Sequence, residues 1–240
     1  MQFINPALGH LKIQDIKPVH VQEFIKQLSK TPCTDRSGQK IIEKDSVVIY
    51  LSASTIKRYL TVLQSIFRQA VKLDKIQNNP ADSGKLTLPK AVTPKIQIFT
   101  KQEASRILEC LENETLQFQV LIQLAILSGC RREELTALKF SDFDRATSKM
   151  TVERAAVKVK GRKTIIKPPK DFEVRQITIP AYCFDLVDDL HAEKKNKAST
   201  LGTYWHDNDW LFTQDNGDIM NPQTPTKQFS DFLEHYGFDS

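Results

Sequence analysis

"LAILSGCRREELTALKF", residues 124–140, is the stretch on which the reading of this chain turns. A nearly all-apolar run ends at Gly129, a natural helix stop, and a new amphipathic run starts with Arg131 and Arg132. A helix start is the positive end of the peptide dipole, so carboxylates are favoured there and guanidinium groups are not. Glu133 and Glu134 obey that rule, and the two arginines break it. A guanidinium beside helix-start amides suits a phosphate-sized anion, because both sets of donors can point at the same oxygens. The plainer alternative is a surface Arg131 paired with Glu134, three residues on.

Outward from this stretch, apolar spacing predicts a helix over about 116–128 and another through about 111, opened by the capping box "TKQE" (100–103). Further upstream, Val21, Phe24, Ile25 and Leu28 predict a helix over 18–30 that starts at Pro18. Ile56, Leu60, Leu63, Phe67, Ala70 and Val71 predict a longer one over 54–73. Residues 31–52 read as an extended loop or a hairpin. "LTLPKAVTPKIQIF" (86–99), with two prolines and no glycine, reads as a tether. Downstream, residues 149–180 are rich in Val, Ile and Thr, and predict three short antiparallel strands near 150–159, 164–167 and 174–179. Helices are expected again over 182–197 and 224–236. The fold class is therefore mainly α with a small antiparallel β-sheet, in two domains: residues 1–88, a linker over 89–99, and residues 100–240.

The chain has 240 residues and a net charge of +5, distributed unevenly. Residues 1–90 hold 14 basic and 7 acidic side chains, and residues 149–175 hold 9 basic and 3 acidic. Such clustering fits a polyanionic partner, as it also fits a solvated surface. No apolar run approaches the ~20 residues that span a bilayer, so no membrane partner is expected. The start lacks a signal-peptide profile, and the four cysteines form no CxxC pair; a cytoplasmic protein with no metal cluster is expected.

The stretch "SGCRREELTALKFSDFD" resembles the first conserved box of the tyrosine recombinases, the phage-integrase family. Gly129, Arg131, Glu134 and Leu135 match G-x-R-x-x-E-L; Leu138, Asp142 and Asp144 match the following L-x-W-x-D-x-D, with Phe140 in the tryptophan's place. "PPKDFEVRQITIP" supplies Lys170 and Arg175 at the family's K-x-x-x-x-R spacing. "LSASTIKRYLTVLQSIFRQAVKLDKIQNNPA" looks like the last helical part of the family's SAM-like core-binding domain.

The resemblance implies a site-specific recombinase of a phage or integrative element that cuts and rejoins DNA through a 3′-phosphotyrosine. Bond energy is kept in the protein–DNA linkage, so no cofactor is implied. Arg131 would clamp the phosphate, Lys170 would donate the proton to the departing 5′-oxygen, and Glu134 would give orienting or packing support rather than transfer a proton. Arg162 and Lys163 would be cations beside Lys170, while Lys57, Arg58, Arg68 and Lys72 would reach DNA phosphates or a groove. Implied partners are double-stranded attachment-site DNA and, for the whole protein, a homotetramer in the bacterial nucleoid. The family continues with an H-x-x-R box and a late tyrosine. None of the five histidines has an arginine three residues on, and Tyr236 comes before the place of that box. These 240 residues are therefore expected to be a piece shortened at both ends that binds DNA without cutting it, with Tyr236 a structural aromatic. A non-enzymatic DNA-binding remnant with the same fold is the alternative.

Overall fold

The periodicity of the longest basic stretch is realised in α3 (Ala53–Lys72). In the computed structural model, which describes residues 3–35, 38–42, 47–90, 98–159, 161–170 and 173–238, the chain divides into two units, 1–96 and 97–240.

In the first unit, α1 (Ile4–Leu8) and α2 (Pro18–Ser29) pack with α3. Val21, Phe24, Ile25 and Leu28 of α2 meet Ile56, Leu60, Leu63 and Phe67 of α3 in one apolar core. Ser52 caps α3: its Oγ accepts the Thr55 amide at 3.2 Å, satisfying one of the donors a helix start leaves open. Between α2 and α3 the bridges Pro32–Tyr50, Thr34–Lys40 and Ile42–Val48 make the expected hairpin-like excursion. Leu86 and Leu88 pack on this core, and Gln22 exchanges hydrogen bonds with the backbone of Thr87. Most of the expected tether, 91–97, lies outside the described residues. Phe99, also assigned to it, packs edge-on against Phe229 and so belongs with the second unit.

That unit opens with α4 (Lys101–Leu111), where the expected Thr100–Glu103 capping box forms. Next comes α5 (Leu116–Ser128), apolar on almost every side, which packs against α7 (Ala181–Leu201) and leaves Ile126 and Leu127 exposed. Gly129 ends α5 at φ +59°, a left-handed conformation that costs glycine little. The one-turn α6 (Arg132–Leu135) follows, and α8 (Thr224–His235) is the last helix among the described residues.

The sheet corrects the three-strand expectation. β1 (Phe143–Asp144), β2 (Lys149–Val152) and β5 (Arg175–Thr178) form one antiparallel sheet in the order β1-β2-β5. β3 (Ala155–Lys158) and β4 (Thr164–Lys167) form a separate two-stranded ladder. The expected strand 150–159 is thus broken at Glu153–Arg154. Arg154 supplies the reason: its guanidinium lies 2.9 and 2.7 Å from the two oxygens of Asp142, which is 7% exposed. A buried carboxylate left without that partner would be costly, so the strand breaks where Arg154 turns inward. Register in the first sheet pairs Val152 with Arg175 and Met150 with Ile177.

Candidate active site

Glycine, not helix polarity, sets the approach to the site. Gly129 turns the chain out of α5, the Cys130 amide donates to Ser128 Oγ at 3.2 Å, and Arg131 becomes the residue capping α6. With only four residues, α6 has little macrodipole, and the Arg131 amide is already committed to Glu134 Oε2 at 2.9 Å. The expected helix-start anion site is therefore corrected. What balances the cation is Glu134, buried to 1% exposure beneath it.

Three donors converge on this carboxylate. Besides the Arg131 amide, Arg131 Nη1 lies 3.0 Å from Oε1, and the Arg175 guanidinium spans both oxygens at 3.3 and 2.5 Å. Burial alone pushes the Glu134 carboxyl upward. The hydrogen bonds from Arg175, the Arg131 amide and the Arg131 guanidinium outweigh it and hold the pKa at about 2. In return Glu134 raises the Arg175 pKa, against the opposing effect of burial. Arg175 also donates toward Cys130 Sγ at 3.6 Å. The arginine side chains stay open to solvent, 49% for Arg131 and 37% for Arg175. Two guanidinium groups held over one buried anion make a half-exposed cationic surface with fixed geometry, which can take a phosphate.

Arg132 turns the other way. Its Nη1 donates to Thr226 Oγ1 at 2.8 Å and its Nη2 to Glu133 Oε1 at 2.7 Å, tying α6 to α8. The remaining residues of the box are structural. Asp142 accepts the Lys139 amide at 2.8 Å as well as Arg154, Asp144 closes the turn to Thr147, and Phe140 stacks on His191 at 4.2 Å.

Lys170 is exposed in the connection between β4 and β5, directly after buried Pro169. Arg175 begins β5 five residues later, so the two Cα atoms lie within about 17 Å of each other. Arg162 and Lys163 are exposed in the turn joining β3 to β4, where the charge of Lys163 acts on Asp218. In the first unit Lys57, Arg58, Arg68 and Lys72 are all exposed. At about 100° per residue the four fall within an arc of about 100°, opposite the buried Ile56–Leu63–Phe67 face. Tyr236 packs on Phe232 at 4.8 Å, and its backbone carbonyl accepts Arg106 Nη2 at 2.7 Å.

Arg175 is the residue that sequence reasoning undervalued. Its signal was there: on a strand with period 2 it shares a face with Ile177 and with buried Ile179, so it had to point inward. Among the described residues no cluster of three or more His, Cys, Asp or Glu is arranged to hold a metal, and no helix is long and apolar enough to cross a membrane.

Residues 2–29 match the family model described as "Phage integrase, N-terminal SAM-like domain". A tyrosine recombinase XerC-like protein of Caldanaerobacter subterraneus is 25% identical over 97% of this chain and 59% of its own length. The ICEBs1 integrase of Bacillus subtilis is 22% identical over 68% of this chain and 44% of its own. The chain thus spans less than two thirds of either relative. Among solved structures, the Tn1549 transposon integrase, in complex with a circular intermediate DNA, superposes with a TM-score of 0.74 at 18% identity, over 96% of this chain and 67% of that one. Lambda integrase, as a tetramer bound to a Holliday junction, superposes at 0.59 and 16% identity, over 100% of this chain and 58% of that one. By fold, by box and by these relatives, the chain is similar to the tyrosine recombinases, the phage-integrase family.

Proposed function

We propose that the chain is the DNA-holding part of a site-specific recombinase that integrates or excises a mobile element. Residues 1–88 are its core-type DNA-binding domain, 89–99 the linker, and 100–240 the first part of its catalytic domain. The observation that carries this reading is the Arg131–Glu134–Arg175 cluster, a preoriented cationic surface on a buried anion. Attack on a phosphodiester builds negative charge on the non-bridging oxygens, and a guanidinium already in place stabilises that state more than the ground state. Arg131 clamps the phosphate, and Glu134 holds Arg131. A tyrosine oxygen forms the new bond to phosphorus while the bond to the 5′-oxygen breaks, and the Lys170 ammonium gives that oxygen its proton.

Double-stranded attachment-site DNA is the substrate. Lys57, Arg58, Arg68 and Lys72 meet its phosphates from one helix face, and Arg162 and Lys163 do so from the β3–β4 turn. No cofactor takes part. The whole protein works as a homotetramer on DNA in the bacterial cytoplasm, at the nucleoid. The 240 residues hold no H-x-x-R box, so by themselves they bind DNA without cutting it.

The test has two arms. The 240-residue chain should bind duplex DNA with an affinity that falls steeply with salt; salt-independent or absent binding overturns the reading. With the complete reading frame, Arg131→Ala and Lys170→Ala should abolish recombination while DNA affinity falls by about tenfold at most. Absence of any recombination in the parent, with DNA affinity intact, would instead favour a non-enzymatic binder of the same fold.

A further inference from the structure

We infer that Arg175 is a positioning residue which, through Glu134, fixes the direction of the Arg131 guanidinium. This deepens the recombinase reading and rests on it. Arg131 is half exposed, and an arginine side chain with that much solvent around it loses substantial rotamer freedom on being held in one pose. Something rigid has to hold it. Glu134 can do so only if the carboxylate itself cannot turn, and the Arg131 amide restrains only one of its oxygens, Oε2. Arg175 removes the remaining freedom: its planar fork reaches Oε1 and Oε2 together and so fixes the carboxylate plane. Oε1 is then presented to Arg131 Nη1 in a single orientation.

The fold supports a lever of this kind. Arg175 heads β5, and its register partner is Val152 of β2, so its backbone is set by a sheet rather than by a loop. Val152 is 1% exposed and Ile179, further along the same strand face, is 2% exposed. Arg131 therefore takes its direction from the carboxylate, and the carboxylate takes its direction from an arginine set by the sheet. Lysine at position 175 would keep the charge but lose the fork, since an ammonium binds as a point charge and leaves the carboxylate plane free.

The direct test is nitrogen NMR of the Arg131 side chain in the 240-residue chain, comparing the parent with Arg175→Lys and Arg175→Gln. Exchange at the Arg131 Nη1 protons should accelerate about tenfold in Arg175→Lys, as expected for loss of about one charge-assisted hydrogen bond, with unfolding transitions showing that the protein is still folded. Unchanged exchange in a folded variant overturns the inference. The lysine variant keeps the test usable if Arg175→Gln fails to fold.

A second arm reads DNA affinity at fixed salt. Arg131→Ala and Arg175→Lys should each weaken binding by about tenfold, and the double variant should be no weaker than either alone. Additive losses would mean that Arg175 meets DNA on its own account, and would overturn the positioning role. If Arg131→Ala in the complete protein leaves recombination intact while the exchange result holds, the recombinase reading falls and the positioning role stands.

Discussion

The basic face of α3 and the arginine cluster at α6 both present guanidinium groups to solvent, yet they are made by opposite means. On α3 the cations lie where helical period puts them, opposite the core, and no fixed partner is needed for that placement. At α6 the cations are placed by a buried carboxylate, and three hydrogen-bonding donors from two distant parts of the chain keep that carboxylate ionised. A surface built by periodicity tolerates change one residue at a time. A surface built on a buried counter-charge does not, because taking one partner away leaves a charge out of water without its compensation.

The contrast can be broken or sharpened by a graded series. Arg175→Met should have the largest effect, a loss of about 3 kcal/mol in the stability of residues 97–240 by denaturant unfolding, since a buried anion loses its strongest partner. Acid comes next. The Glu134 pKa of about 2 in the folded protein lies below its ordinary value of 4.5, so the stability it confers is complete above pH 4.5. That stability drains away as pH falls from 4.5 through about 2, and thermal melts should show Glu134→Gln to lack this slope. Ser52→Ala, which removes the α3 cap, should cost about 1 kcal/mol in the first unit, measured by helix signal against denaturant. The smallest effect on stability is expected on the basic face: exchanging Lys57, Arg58, Arg68 and Lys72 for glutamine should move unfolding by no more than about 0.5 kcal/mol per site. The same exchange should flatten the salt dependence of DNA binding, lowering its slope by about 0.9 for each phosphate no longer neutralised.

How far the sequence could be read follows the same division. Helices α2, α3, α4 and α8 came through because each buries a stripe at helical spacing, α5 was legible as a nearly all-apolar run, α1 was not expected, and the Thr100–Glu103 box formed as written because capping is local. Arg131 and Glu134 were legible as a pair three residues apart. Their third partner was not, because Arg175 lies 41 residues beyond Glu134 and only the antiparallel register of β2 with β5 brings it near. The split of one expected strand into β2 and β3 escaped for a similar reason. Val, Thr and Ala on either side of Glu153–Arg154 satisfy a strand pattern, and the break is imposed from outside by Asp142. Periodicity reports which face a residue is on; it is silent about which distant charge that face will meet.

That split also bears on how such a chain can vary. The ladder of β3 with β4 closes on itself, pairing Ala155 with Lys167 through Lys158 with Thr164, while β2 is locked separately to β5. Residues added or deleted at the outer end, between Val159 and Thr164, would lengthen or shorten an arm that hangs from its own base. Neither change would slide the neighbouring sheet by a single step. A change in the reach of that arm would therefore still deliver Arg175 to Glu134.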